Sequence, residues 1–93
     1  MRVNLKLGQP LCQSVGAREV VVDVTPPVTV GAALYALAVT YPQAGHELRL
    51  GTDRSDFYYS LFVNDRLVLF ADKDSTSLHD GDTVSVLLPL AGG

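Results

Sequence analysis

The sequence closes on Leu88-Pro89-Leu90-Ala91-Gly92-Gly93, the residues whose types and order could do chemistry. Side-chain bulk falls along this run. Two leucines flank one stiffening proline, an alanine follows, and the last two residues carry no Cβ. A tail of that shape can lie extended in a slot too narrow for bulkier side chains. Its reactive end would be the α-carboxylate of Gly93, an acid that no large neighbour shields. A frayed, glycine-rich terminus of the kind many domains carry would look the same in isolation. The rest of the chain must decide between a presented carboxylate and a loose end.

Composition removes several classes of function. Ninety-three residues make one domain with a modest core. An apolar content of 47% and a charged content of 18% are those of a folded chain. Seven Lys plus Arg against ten Asp plus Glu give a net charge of −3, which is the wrong sign for binding nucleic acid. Cys12 alone cannot form an internal disulfide. With His46 and His79 it supplies too few ligands for a four-ligand zinc site, and a four-thiolate iron–sulfur cluster fails on count. No run approaches 18 apolar residues, and Met1-Arg2-Val3-Asn4 lacks the apolar stretch of a signal peptide. The expectation is therefore a cytoplasmic protein with no metal and no membrane span.

The elements that must hold the tail follow from periodicity. Residues 2–7 alternate, with Val3, Leu5 and Leu7 on one face, and read as a half-buried strand. Gly8-Gln9-Pro10 breaks it, and a loop is expected as far as Gly16. Residues 18–24 alternate again around Val20, Val22 and Val24, and should pair antiparallel with the first strand. Thr25-Pro26-Pro27 ends that strand. From Thr29, a plausible N-cap, the apolar residues Val30, Ala33, Leu34, Leu37, Ala38 and Tyr41 take helical spacing. Tyr41-Pro42 closes the helix after about three turns. Residues 43–56 read as irregular. Residues 57–63 form a third strand with Tyr59, Leu61 and Val63 on one face. Asn64-Asp65 signals a turn into a short strand over 66–70. After a polar loop over 71–77 and a tight turn at His79-Asp80-Gly81-Asp82, residues 83–88 form the last strand with Val84, Val86 and Leu88 inward.

This order predicts an α+β fold of the β-grasp, ubiquitin-like kind: a mixed sheet of four to five strands packed on one main helix. Residues 1–93 are expected to form a single domain with a flexible diglycine tail over 89–93. Other candidate residues carry bland readings. Cys12 has no cationic neighbour in sequence to activate it. His79 and Asp80 sit where a turn needs polar residues, and the serines lack a nucleophile elbow. Leu87, Phe62, Tyr58 and Val21 break the polar pattern of the sheet's outer face, and together they suggest a docking patch for a partner.

The chain resembles the MoaD/ThiS family of ubiquitin-like sulfur carriers over nearly all its length. Val28-Thr29-Val30-Gly31 and Tyr41-Pro42 resemble the start and end of that family's helix, and Val63-Asn64 the end of its third strand. The most specific anchor is Leu78-His79-Asp80-Gly81-Asp82-Thr83-Val84 followed by Leu88-Pro89-Leu90-Ala91-Gly92-Gly93. The sequence departs from small subunits of molybdopterin synthase at Leu87-Leu88-Pro89, where an aromatic and two prolines are common. Ala32 replaces an acid common in the helix's first turn, and the loop over 51–56 is longer than in the shortest relatives.

The resemblance implies a carrier and no enzyme active site. A ubiquitin-activating-type adenylating enzyme would use ATP to attach AMP to Gly93. Sulfide from a persulfide donor would then displace AMP and leave a thiocarboxylate. The free carboxylate, with a pKa of about 3.5, is ionised at neutral pH and too poor an electrophile to react unaided. Gly92, Ala91, Leu90 and Pro89 would thread the tail into the activating and acceptor sites. The acceptor would be a subunit or enzyme such as the large subunit of a molybdopterin synthase. No cofactor would be bound by the chain itself. Molybdopterin synthesis is the first pathway implied, with thiamine, cysteine or tRNA thiolation as alternatives. A ubiquitin-like modifier joined to lysines through Gly93 uses the same activation. A non-covalent β-grasp interaction module with an incidental tail is the third reading.

Overall fold

Alternation at the N-terminus produces β1 (Arg2–Leu7), whose Val3, Leu5 and Leu7 are buried. The computed structural model describes residues 1–9, 11–48 and 60–87. A one-turn helix, α1 (Leu11–Val15), follows where a loop is expected from the sequence. Its first residue, Leu11, is fully buried, and the Gly16 N–H donates to the Cys12 carbonyl (2.8 Å) with Gly16 at φ +89. That is a glycine C-cap, and five residues are too few for helical periodicity to show.

The chain then forms β2 (Glu19–Asp23), antiparallel to β1 with Val3 opposite Val22. The main helix, α2 (Val30–Thr40), starts at Thr29, whose hydroxyl accepts from the Ala32 N–H (3.1 Å). The other early amides are also used: Val30 N–H donates to Thr76 C=O (3.0 Å), Gly31 N–H to Lys73 C=O (2.9 Å) and Ala33 N–H to Thr29 C=O (3.0 Å). The donors that a helix start leaves free are thus satisfied here by the cap and by the 73–76 segment.

Pro42 does end α2, but the chain does not turn irregular. It re-enters a helix at once, α3 (Pro42–Leu48). Proline is well suited to the first helical position, where no N–H is needed. Ala44 and Leu48, four residues apart, are buried on one face. Gly45 lets α3 come close to α2, since a Cβ there would sit 3.0 Å from the Cβ of Ala38.

The second half of the sheet is β3 (Ser60–Val63), β4 (Arg66–Val68) and β5 (Thr83–Leu87). Asn64 and Asp65, with φ of 47° and 74°, make the two-residue turn between β3 and β4. Both angles positive is the requirement of the type I′ hairpin, whose twist matches its strands. The strand expected over 66–70 is shorter, because Phe70–Asp72 turns into a 3₁₀ helix. The polar loop after it is tied down by a bridge between Ser77 and Thr29. Phe57, Tyr58 and Tyr59, expected in the third strand, lie outside the described residues, as does Leu88 at the end of the last strand.

Strand order is β2-β1-β5-β3-β4, with β1 and β5 parallel at the centre and the other pairs antiparallel. The inner face (Val3, Leu5, Leu7, Val22, Leu61, Val63, Val84, Val86) buries against Val30, Ala33, Leu34 and Leu37 of α2. One helix gripped by one mixed sheet is the architecture that the periodicities predict.

Candidate functional site

β5 is the element that matters most, because the tail leaves from its end. It is a central strand, held on both sides: Leu7 pairs with Val86 on β1, and Ser60 with Leu87 on β3. The ladder extends one residue beyond β1, where the Gly8 N–H donates to the Val86 carbonyl (2.9 Å). Gly8 is there for space. A Cβ on it would lie 3.1 Å from Cδ2 of Leu87 and 3.4 Å from its Cα. Leu87, the last described residue, is therefore fixed by two ladders and packed over a glycine. The tail residues Pro89, Leu90, Ala91, Gly92 and Gly93, and with them the expectation of a flexible arm, lie outside the described residues.

At the opposite end of β5 the acidic turn acts as a clasp. Asp82 N–H donates to His79 C=O (3.0 Å), and Gly81 takes φ +87, the positive φ that a type II turn places at its third residue. Arg2 N–H donates to Asp80 Oδ1 (2.7 Å), and Gly81 N–H to the Arg2 carbonyl (2.8 Å), which ties the turn to the start of β1. The Asp82 carboxylate accepts from His79 N–H (2.8 Å) at Oδ2 and from Asn64 Nδ2 (2.9 Å) at Oδ1. Asn64 Oδ1 in turn accepts from Thr83 N–H (3.1 Å), so one side chain joins the hairpin to β5. Asp80 uses its carboxylate in this turn and His79 its backbone, while the exposed His79 ring stands with Nδ1 3.7 Å from Asp82 Oδ2.

The clasp is expected to depend on pH. The His79 backbone amide, then the Asn64 side-chain amide, hold the Asp82 carboxyl below the usual carboxylate range. A lowered folded-state pKa contributes stability that is fully present above the unfolded value of about 3.9. It is lost as pH falls through the folded pKa. Asp82→Ala removes both bonds, and should cost about 2 kcal/mol at pH 7, or ~10 °C in Tm. Thermal unfolding at pH 7 and at pH 2.5 checks the assignment. The gap between the two proteins should shrink at the lower pH, and a gap independent of pH would contradict it.

The outer face of the sheet carries the docking candidates. Registers place Glu19, Lys6, Ser85, Phe62 and Leu67 in one row across all five strands. Leu87 and Ser60 form the next row toward the tail. Phe62 and Leu87 are thus diagonal neighbours on adjacent strands. Phe62 is half-buried, Leu87 is 40% exposed, and Leu67, directly opposite Phe62, is 58% exposed. Tyr58, the third expected member, lies outside the described residues. Val21 does not join the patch: β1 separates its strand from β5, and its row runs through Asn4 and Thr83 and not through Leu87 or Phe62. Leu67 joins the patch, which the strand pattern alone does not indicate. Its signal is the two-residue hairpin, which sets it opposite Phe62 by counting.

Among the described residues, no group of three or more His, Cys, Asp or Glu side chains could hold a metal ion. No helix among them is long and apolar enough to cross a membrane. Cys12 lies half-buried in α1 as a free thiol.

Element order, central parallel pair and gripped helix define a ubiquitin-like β-grasp protein. The ThiS family matches residues 6–93, and the chain belongs to this family of ubiquitin-like sulfur carriers. Among solved structures, SAMP1 of Haloferax volcanii, a small archaeal modifier protein, is 28% identical with 100% of both chains covered and a TM-score of 0.77. A putative molybdopterin converting factor subunit 1 from Pyrococcus furiosus is 19% identical over 97% of this chain and 99% of its own, with a TM-score of 0.73. A chain of the BexX/CysO complex of Amycolatopsis orientalis is 24% identical over 98% of this chain and 99% of its own, with a TM-score of 0.71. The last two show likeness of fold alone. Among curated proteins, none matches the chain.

Proposed function

We propose that the chain is a sulfur carrier whose Gly93 carboxylate is adenylated by a ubiquitin-activating-type partner and then converted to a thiocarboxylate. The observation that carries this reading is the family match, which runs through the tail to Gly93. ATP is consumed by the partner: the carboxylate attacks the α-phosphate, pyrophosphate leaves, and the acyl-adenylate has AMP as a good leaving group. Sulfide then attacks the carbonyl carbon, AMP leaves with the bridging oxygen, and a thiocarboxylate remains. A thin tail of Pro89, Leu90, Ala91, Gly92 and Gly93 suits a site that must keep water from that intermediate. The chain's own part is to present the carboxylate from the fixed end of β5. Pyrophosphate exchange into ATP by the activating enzyme tests the first step. Exchange should depend on this chain, and its absence with a partner that activates a control carrier would overturn the reading.

Leu87, Phe62 and Leu67 form the docking surface for the activating enzyme. Burying a leucine or phenylalanine contributes about 1.5–3 kcal/mol. Leu87→Glu or Phe62→Glu should therefore lower kcat/KM for activation about tenfold to a hundredfold. Both side chains lie on the outer face of the sheet, away from α2, so Tm should move little. Unchanged kinetics in both variants would place the partner elsewhere.

The acceptor defines the product. The large subunit of a molybdopterin synthase is the first to test, on the strength of the Asp80-Gly81-Asp82 turn, the following strand and the diglycine tail. The complex formed by the BexX/CysO relative is consistent with a protein acceptor. The likeness to a small archaeal modifier protein favours a second reading, conjugation to lysines through Gly93. Diglycine remnants on host proteins, released from a variant made cleavable before Gly92, would mark that use. The need for ATP in the first step supports a cytoplasmic location for the protein.

A further inference from the structure

The sheet order leaves β2 at one edge. Its hydrogen-bond phase is set by Leu7 N–H donating to Arg18 C=O (2.7 Å) and Val24 N–H donating to Met1 C=O (2.9 Å). Antiparallel alternation then turns Val20 and Val22 toward Leu5 and Val3 of β1. The N–H and C=O groups of Glu19, Val21 and Asp23 point the other way, and no strand among the described residues pairs with them. Period two puts the side chains of the same three residues on the outer face, in the order acid, apolar, acid. All three are exposed, Val21 by 55%. The inner face of β2 is different: Val22 is buried, and Val20 and Val24 pack half-buried against the core.

An extended segment laid along this edge would meet a defined set of neighbours. Its outer-face residues would face Glu19, Val21 and Asp23, and its inner-face residues would lie beside Val20 and Val22. The matching pattern is basic, apolar, apolar, apolar, basic. β1 already shows a close version on the other side of β2, in Arg2-Val3-Asn4-Leu5-Lys6. There Lys6 stands opposite Glu19 and Arg2 opposite Asp23, with Arg2 Nε 3.8 Å from Asp23 Oδ1. Pairing of two β2 edges, antiparallel about Val21, would instead set Glu19 against Asp23 twice. Like charges directly opposite are destabilising, so the edge selects against a second copy of itself.

We propose that the free edge of β2 is a strand-addition site for an extended segment of a partner protein that carries cationic side chains two residues either side of an apolar one. Main-chain bonds to Glu19, Val21 and Asp23 supply attachment, and the two acids supply selection. The site is separate from the Leu87 patch and does not depend on the chemistry of Gly93.

The test is titration of the isotope-labelled full chain, followed by amide NMR, with two capped peptides. One is Lys-Val-Val-Val-Arg and the other Glu-Val-Val-Val-Glu. The basic peptide should shift and protect the amides of Glu19, Val21 and Asp23, and the acidic one should bind at least ~10-fold more weakly. Glu19→Lys with Asp23→Lys should reverse that order. Val21→Pro should abolish binding while the β1 and β5 amides stay in place, because the Val21 N–H is not used in the β1 ladder. Removal of Gly93 should change nothing. Equal binding of the two peptides would overturn the proposal. So would shifts centred on Phe62, Leu67 and Leu87, or no binding at millimolar peptide, or β2-dependent dimers in sedimentation.

Discussion

Deleting Gly93, or adding one residue after it, is expected to lower adenylation by the activating partner at least about a hundredfold. One residue of extended chain moves the terminal carboxylate by about 3.3–3.6 Å. A misplacement of only ~1 Å at a reacting centre can already cost about a hundredfold. Because β5 is held by β1 on one side and β3 on the other, the platform cannot slide to make up the difference. Stability should be untouched, since the buried core runs from Val3 to Val86. Pyrophosphate exchange gives the first quantity and thermal unfolding the second. A lengthened variant that stays fully active would show that the tip of the tail is not where the reaction occurs.

The opposite behaviour is expected of Leu34→Ala. Leu34 is fully buried on α2, the helix that the sheet grips. Truncation loses its transfer free energy and leaves a cavity between helix and sheet, a cost of about 3–4 kcal/mol. Alanine's better helix propensity returns only a few tenths of a kcal/mol. A chain of this length has a total stability of roughly 5–14 kcal/mol, so Tm should fall by about 15–25 °C. At a temperature where the variant remains folded, activation at Gly93 should approach that of the unaltered chain. Denaturant unfolding measures the loss. A change under 1 kcal/mol would mean that α2 is not the main filler of the core.

Much of this fold was legible because its main elements keep one period for long enough. The alternation of Val3, Leu5 and Leu7, and of Val84 and Val86, survives as buried strand faces. The spacing of Val30, Ala33, Leu34 and Leu37 survives as the buried face of α2. Asn64-Asp65 gave its turn through residue chemistry, because both side chains tolerate positive φ. What was not legible is equally physical. α1 has five residues and one fully buried side chain, less than a helical repeat needs. α3 is introduced by the same proline that ends α2, so one residue reads as a stop and acts as a start.

The site divides in the same way. Alternation placed Phe62 and Leu87 on the outer face, but neighbours across strands depend on register, which the sequence leaves open. Alternation alone therefore groups Val21 with the patch, though it is two strands from Leu87, and does not single out Leu67, a direct neighbour of Phe62. The acidic turn read correctly as a turn. Its role in joining β1, β5 and the hairpin through Asp82 and Asn64 needed the three-dimensional arrangement.

We propose that Gly93 carries sulfur. Intact-protein mass measurement after incubation with ATP, the activating enzyme and a sulfur donor tests it most directly. A mass gain equal to one oxygen replaced by one sulfur is expected, assigned to Gly93 by fragmentation and absent without ATP. No exchange, under conditions that convert a control carrier, would contradict it.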